Sequence, residues 1–548
     1  MRNGEIILCS GIKLDKNYEN VLSYSESSMV TLCRQASIYT GHNYSFIGRD
    51  NKVQIACRYE DVIYANYMAF INPDYGNKWM FAWVTNIRYM NEDTTEISFK
   101  LDVFSTWYDR FTLNQAFIER EHVTDDTPGK NTVPEKLEYG DYIVNDILTP
   151  TAQDTYNDYY YILATSVFPL IDTSSGTDKI NGGNVGGGIY NKIPCGLDYY
   201  AYNRTENGIA RLKRTIAAYD NSGLADAINS IFVVPQWTVT VDWETGFDSI
   251  WGRVNESNSA ITRMLEYNGV SLISKPTTVD TYTPVNKKLL QFPYSYFIMS
   301  NGNGGNAIYK YEYFHIPLNE NYIEFVLSGA IAPSSSVLLQ PSYYKYSGVT
   351  NSSEALIGAK LPIGSWSSDT YINWLTQNSL NHKVDLALGM ASIGAGLAMS
   401  GESGSSAGGS YLAGGIMKVA NTMVEIQNAK DFMSPQAKGN INCGDVNFAL
   451  NLSTFIGYKM SIKKEWAERL DKYFSRFGYQ VNDVKTPSLT SRTVFNFIKV
   501  GGMDELVSGN IPANDLEEIN AIFRKGVTIF HDYTKIGNYT ISNPVVSS

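Results

Sequence analysis

The chain is poor in the residues that most protein chemistry requires. Its 548 residues hold five cysteines and five histidines. Cys9, Cys33, Cys57, Cys195 and Cys443 are scattered, odd in number and form no CxxC. A disulfide framework or a cysteine zinc site is therefore not expected, and buried free thiols are the plain reading. His42, His122, His315, His382 and His531 supply no HExxH and no i,i+4 pair, which argues against a metal hydrolase. Basic residues are also short, with 44 Lys and Arg against 55 Asp and Glu, a formal charge of −11. A protein that grips nucleic acid needs the opposite balance to displace counterions from phosphate. The sign still suits a passage through which DNA slides without sticking. Neither GxSxG nor a Walker loop is present, and neither glycine run, 181–188 or 301–306, has GxGxxG spacing. No cofactor and no metal are expected. Adjacent acids such as Asp125-Asp126 and Glu517-Glu518 read as solvated, and nothing marks the facing carboxylate pair of a glycosidase. No apolar run reaches the roughly 20 residues of a spanning helix. The opening stretch Ile6–Cys9 is too short for a secretory segment. The chain is expected to be made soluble in a cytoplasm, with any membrane role acquired later.

What the chain does have is tyrosine, 39 in all, within an aromatic content of 13%. Tyrosine suits strands, because the ring buries while the hydroxyl stays wet. Apolar content of 43% supports packed cores, and the length suggests several domains. The fold class expected is mainly β with a few helices. Over Glu96–Val103, Ile97, Phe99, Leu101 and Val103 alternate with polar residues, the pattern of a half-buried antiparallel strand. Trp79–Tyr89 should precede it, with Met90–Thr94 as the hairpin turn. Phe117–Val123 reads as another strand. Ile231–Trp243 reads as a strand pair or as an edge strand interrupted by Pro235, and Tyr322–Leu327 and Val337–Tyr346 as further strands. Asp369 can cap a helix, Ile416–Phe432 is helix-compatible, and the tail alternates over Ile529–Tyr533. Lys463–Phe477 should be a helix with Trp466, Leu470, Tyr473, Phe474 and Phe477 on one side, stopped by Gly478. Pro512–Lys525 should be a second, with Leu516, Ile519, Ile522 and Phe523 inward and Gly526 ending it.

One segment has no obvious place in a soluble β protein. Residues 386–417 carry a single charge, Glu402, and roughly two thirds of them are Gly, Ala or Ser. The apolar side chains are Leu386, Leu388, Met390, Ile393, Leu397, Met399, Leu412, Ile416 and Met417. Gly389, Gly394, Gly396, Gly401, Gly404, Gly408, Gly409, Gly414 and Gly415 keep the backbone adaptable. This is too glycine-rich for a good core and too apolar for an ordinary linker. It suggests a loop sheltered in one state and released into an apolar environment in another.

Five short strings then fall in order along the chain. They are Asp74-Tyr75-Gly76-Asn77-Lys78-Trp79, Phe117 to Val123 with Arg120, Glu121 and His122 at its centre, Phe477-Gly478-Tyr479, Asn514 to Ile519, and Ile536-Gly537-Asn538-Tyr539. With the glycine-rich insert in its place among them, the chain resembles the distal tail (tail-knob) proteins of small short-tailed phages of Gram-positive bacteria. The resemblance implies a ring-forming homo-hexamer whose β-barrel or β-sandwich tail-tube domains enclose a lumen for DNA. It implies apolar loops, here about Asp385–Lys418, that block the tube and then enter the host membrane. Implied partners are other copies, the proximal tail and collar proteins, the host membrane and DNA in transit without sequence reading. Localisation would be the virion tail, assembled in the host cytoplasm, and no enzyme is implied. The expected division is 1–165 plus 436–548 as tail-tube domains, 166–365 as a β-rich middle region, and 366–435 as the helix–loop–helix insert. Asp74–Trp79 reads as a β-turn with a buried tryptophan, and the Arg120–His122 trio as a subunit or domain contact in preference to a catalytic cluster. The rival readings are a wall-sugar adhesin using the tyrosines of 166–365 and, behind it, a cell-wall hydrolase.

Overall fold

A two-residue turn, Glu92-Asp93, joins the strands Lys78–Asn91 and Thr94–Leu101 in the hairpin that the alternation foretold. The second strand stops two residues short of Val103. The Asp102 carboxylate accepts from the Ser105 N–H and caps a short helix, Val103–Trp107, so Val103 is buried in a helix instead of a strand. The computed structural model describes residues 4–345 apart from short stretches, among them 73–75, 150–158 and 182–187. It also describes the strands Ile357–Lys360, Ile363–Ser365 and Asn440–Asn442, and residues 455–546 apart from 504. The expected helices after Asp369 and over Ile416–Phe432, and the whole of 385–418, lie outside the described residues.

Two units divide the described chain. The first comprises Met1–Asp141, Thr281–Tyr294 and Ile462–Ser548. The hairpin sits in a seven-stranded sheet, ordered Ser37–Gly41, Ile6–Cys9, Tyr67–Asn72, Lys78–Asn91, Thr94–Leu101, Lys52–Ile55, Tyr44–Ile47. The outermost strands, Ser37–Gly41 and Tyr44–Ile47, are only two residues apart in sequence. Three peptide steps span about 10 Å at most, so the sheet must curl until its edges approach. A five-stranded sheet of Asn20–Leu22, Val527–Phe530, Phe495–Val500, Ala116–Glu121 and Tyr479–Lys485 brings the two ends of the chain together. One core serves both sheets, with Ile7, Phe81, Ile97, Phe104, Phe495 and Phe523 fully covered. Burying each such side chain contributes about 1.5–3 kcal/mol. The expected strand Ile529–Tyr533 is instead Val527–Phe530, buried at all four positions because it lies inside this sheet.

Both C-terminal helices form as read. Lys464–Phe477 ends at Gly478, φ +65°, and Ala513–Lys525 ends at Gly526, φ +94°. Their buried stripes differ from the expectation. Ala467, Leu470, Asp471 and Phe474 are buried on the first, while Trp466, Tyr473 and Phe477 are half-buried flanks. On the second, Leu516 is half-buried and Asn520 joins Ile519, Ile522 and Phe523 inside. The helix Glu26–Gln35, capped by Ser25, is not among the elements expected from the sequence.

The second unit comprises Tyr142–Asp280 and Ser295–Ser461. Its seven-stranded sheet runs Val241–Trp243, Trp251–Val254, Asp198–Tyr202, Tyr159–Thr165, Ile228–Pro235, Ile363–Ser365, Asn440–Asn442. Ile228–Pro235 is paired on both sides, so it is no edge strand; a 3-10 turn at Gln236–Thr238 separates it from Val241–Trp243, which pairs with Trp251–Val254 and not with it. The helix Glu206–Asn221 was not expected among the glycine loops. Thr205 caps it, and Leu212, Ile216 and Tyr219 bury one stripe. The unit also holds two four-stranded sheets, Tyr142–Leu148, Ile456–Ile462, Ser295–Ser300, Asn306–Tyr309, and Ala260–Met264, Phe325–Ala330, Ser336–Pro341, Ile357–Lys360, besides short two-stranded pairs. Aromatic rings dominate the core: Tyr309 meets Phe325 at 4.9 Å and Phe314 meets Tyr344 at 4.9 Å. Every described tyrosine between 166 and 345 is buried or half-buried.

Candidate functional site

The residues singled out by sequence fall in three places. All of those between 385 and 418 are outside the described residues, as are Asp74 and Tyr75. Gly76 and Asn77 form the turn before Lys78–Asn91, with φ +68° and +63°. Among the described residues of that string the buried one is Lys78, not the tryptophan. Its ammonium meets Glu26 at 2.6 Å and stands 5.4 Å from the Trp107 ring centre, whereas Trp79 is half-buried against the core.

Arg120, Glu121 and His122 are all buried at the end of Ala116–Glu121, between two strands from the C-terminal part of the chain. The alternation of this strand slips between Ile118 and Arg120, which lets consecutive charged residues turn inward. The Arg120 guanidinium donates to the Gly478 carbonyl at 2.7 Å, pairs with Glu135, and lies 4.9 Å from the Tyr473 ring centre. Glu135 is wholly enclosed. It also accepts from Lys288 Nζ at 2.7 Å and the Gln480 N–H at 2.8 Å. Burial pulls Lys288 below the ordinary lysine range, and Glu135 opposes that pull. Glu121 pairs with Lys485, and burial raises its pKa despite that partner.

His122 is fixed in one tautomer. Nδ1 accepts from the Phe497 N–H at 2.8 Å, so the proton sits on Nε2, which donates to the Ser475 carbonyl at 3.1 Å. The ring thereby staples a strand to the helix Lys464–Phe477. Burial first, and the nearby Arg492 second, push its pKa down to about 3. It is a neutral link and no proton carrier at ordinary pH.

Asp471, on the same helix, is the anchor that sequence reasoning passed over. Its carboxylate accepts from Tyr282 Oη at 2.7 Å, the Val285 N–H at 2.8 Å, the Asn286 N–H at 2.9 Å and Asn286 Nδ2 at 2.7 Å. Asp126 accepts from Tyr479 Oη and from the Lys287 N–H at 3.1 Å. These bonds hold the stretch Thr281–Tyr294 against the helix and the 125–135 loop. The one sequence signal was a carboxylate set inside the apolar stripe of Ala467, Leu470 and Phe474. Glu135 and Lys288 gave none. The bonds of this network knit chain segments together. Arg120, Glu121 and His122 are each committed to internal partners, and among the described residues no group of His, Cys, Asp or Glu could hold a metal.

Gly478 shows how closely the segments meet. A Cβ there would stand 2.0 Å from the Glu121 carbonyl oxygen, and φ is +65°. The Phe477-Gly478-Tyr479 string thus marks the spot where helix end, strand and Arg120 converge.

Residues 260–544 match the family model described as Bacillus phage phi29, tail knob protein gp9, C-terminal domain. The chain belongs to this phage tail knob family. Residues 2–112 match the Caudoviral major tail protein N-terminus. Tail knob protein gp9 of Bacillus phage phi29 is 24% identical over 98% of both chains, and that of Bacillus phage B103 is 25% identical over 90% of both. Among solved structures, the tail knob protein gp12 of bacteriophage C1 superimposes with a TM-score of 0.63. That match covers 99% of this chain and 100% of the other at 14% identity, which establishes a shared fold. This tail knob chain is a structural component of a phage's distal tail.

Proposed function

We propose that six copies of this chain form the closed tip of a tail tube that conducts DNA, and that the segment 385–418 opens it by entering the host membrane. The observation that carries the reading is the composition of 386–417, thirty-two residues with one charge in a chain of net charge −11. Six copies packed around an axis would hide such loops from water without a conventional core. Released, the uncharged stretches 386–401 and 403–417 would each reach roughly 24 Å as helices. That falls short of a hydrocarbon layer of about 30 Å, so one loop spans poorly and six would satisfy one another around a wet path. No helix among the described residues is long and apolar enough to cross a membrane, so the reading rests on the loop. Net negative charge keeps DNA from adhering to the tube. The work is assembly and rearrangement, without covalent chemistry. Assembly takes place in the host cytoplasm, with proximal tail and collar proteins as neighbours and the host membrane as the target.

The adhesin reading has less to stand on, because every described middle-region tyrosine is buried or half-buried and none stands fully exposed. The test is dye release from liposomes across a pH series. Wild type is compared with a deletion of Leu386–Met417, after light scattering shows the same oligomer for both. Release by wild type and none by the deletion supports the reading. Equal release by both removes the loop from membrane entry.

A further inference from the structure

Two of the cysteines that sequence reading set aside as inert are in contact. Cys9 ends the strand Ile6–Cys9, and Cys33 lies on the helix Glu26–Gln35. Both are fully buried free thiols. The pairing of Ile6–Cys9 with Ser37–Gly41 slips between Leu8 and Cys9, an irregularity of the kind that re-aims a side chain. Cys33 shares the buried stripe of its helix with Met29 and Leu32. The Cys9 thiol donates to the Cys33 carbonyl at 3.3 Å, which brings the strand end against the helix residue that carries the second thiol. Just beyond them, the Ser10 N–H donates to the Ala36 carbonyl at 3.1 Å, so strand end and helix end are already tied.

We infer that Cys9 and Cys33 are a latent disulfide, reduced while the chain is made and closed when a disulfide oxidant replaces the reducing cytoplasm. The two thiols give up two protons and two electrons to one molecule of oxidant such as oxidised glutathione. The oxidant's S–S bond breaks, a Cys9–Cys33 bond forms, and two small thiols leave. The hydrogen bond with Cys9, and then burial, hold the Cys33 thiol far above the ordinary cysteine range. Thiolate is therefore scarce, and closure is slow and runs through brief opening of the helix. The closed bond fastens the first helix to the seven-stranded sheet and restricts the unfolded chain between residues 9 and 33. The occasion for closure, a virion leaving its host, rests on the tail reading; the chemistry does not.

The test incubates native protein with oxidised glutathione at pH 8, then blocks thiols under denaturing conditions and maps peptides by mass spectrometry. Half-buried Cys57 serves as an internal check that the oxidant reaches accessible thiols. The expected result is a Cys9–Cys33 linked peptide, two hydrogens lighter and reversed by dithiothreitol. The thermal midpoint should rise by several degrees, and Cys9→Ser and Cys33→Ser should each abolish the link. Glutathione on Cys57 with Cys9 and Cys33 still free overturns the inference. So does a link that forms only after denaturation, or one that lowers the midpoint.

Discussion

Acidification from pH 7 to pH 5 places a proton on a histidine in the unfolded chain but not on His122 in the folded one. The folded pKa is about 3 against an ordinary value of 6.5. For a base held neutral by burial, the stabilising contribution is complete above the unfolded pKa and drains away as pH falls from 6.5 toward 3. At pH 5 the loss is about 2 kcal/mol, from one proton bound over one and a half pH units. The structural cost is specific. Protonated Nδ1 could no longer accept from the Phe497 N–H, and the charge would face Arg492. His531, also pulled down by burial, adds in the same direction. Buried Asp102, Glu121 and Asp126 act oppositely. Burial raises their pKa values, so the folded state takes up protons first and gains as pH falls through that range. The histidine contribution is therefore isolated by difference. Denaturant unfolding at pH 7.5, 6.5, 5.5 and 5.0, followed by tryptophan fluorescence, should show a steeper acid loss in wild type than in His122→Asn. The slopes should differ by about 1.4 kcal/mol per pH unit below 6.5. The imidazole resonance of His122 should stay at its neutral position down to pH 4. Parallel profiles, or a His122 resonance titrating near 6.5, would refute the argument.

The neighbouring network makes further claims. Glu135→Gln leaves Arg120 and Lys288 buried with a weaker partner, and should lower the stability of the first unit by about 3–5 kcal/mol in urea unfolding. Asp471→Ala strands Tyr282 Oη and the Val285 and Asn286 N–H groups, costing about 3 kcal/mol. Hydrogen exchange should localise that loss to 281–294; uniform exchange across the unit would count against the anchoring role. Gly478→Ala should cost about 3 kcal/mol or more, because the new Cβ meets the Glu121 carbonyl and φ is positive. An unchanged thermal midpoint would show that the helix end can shift. Phe104→Ala, in the core shared by both sheets of the first unit, should cost about 3–5 kcal/mol by the same melting assay.

Local periodicity was enough for the β-rich class, for the hairpin before Leu101 and for both C-terminal helices with their glycine stops. These depend on interactions within a few residues, which a sequence displays directly. The helix Glu206–Asn221 had a legible cap in Thr205 and apolar positions at Leu212, Ile216 and Tyr219, but the flanking glycine loops masked the pattern. The extent of Thr94–Leu101 turned on one local competition, in which the Asp102 cap outweighed the continuing alternation. The apolar character of 386–417 is likewise a property of sequence alone. What only the tertiary structure decided is which distant segments meet. Ile118 pairs with Val500, Glu135 joins Arg120 to Lys288, and Asp471 binds Asn286. A carboxylate on a helix looks solvated until the fold closes over it. Burial then makes its partners obligatory, because a charge or donor left unpaired away from water costs more than the bond contributes. The same closure turned Arg120, Glu121 and His122 from a surface-like charged string into an internal staple, and covered the described tyrosines of the second unit wholly or in part.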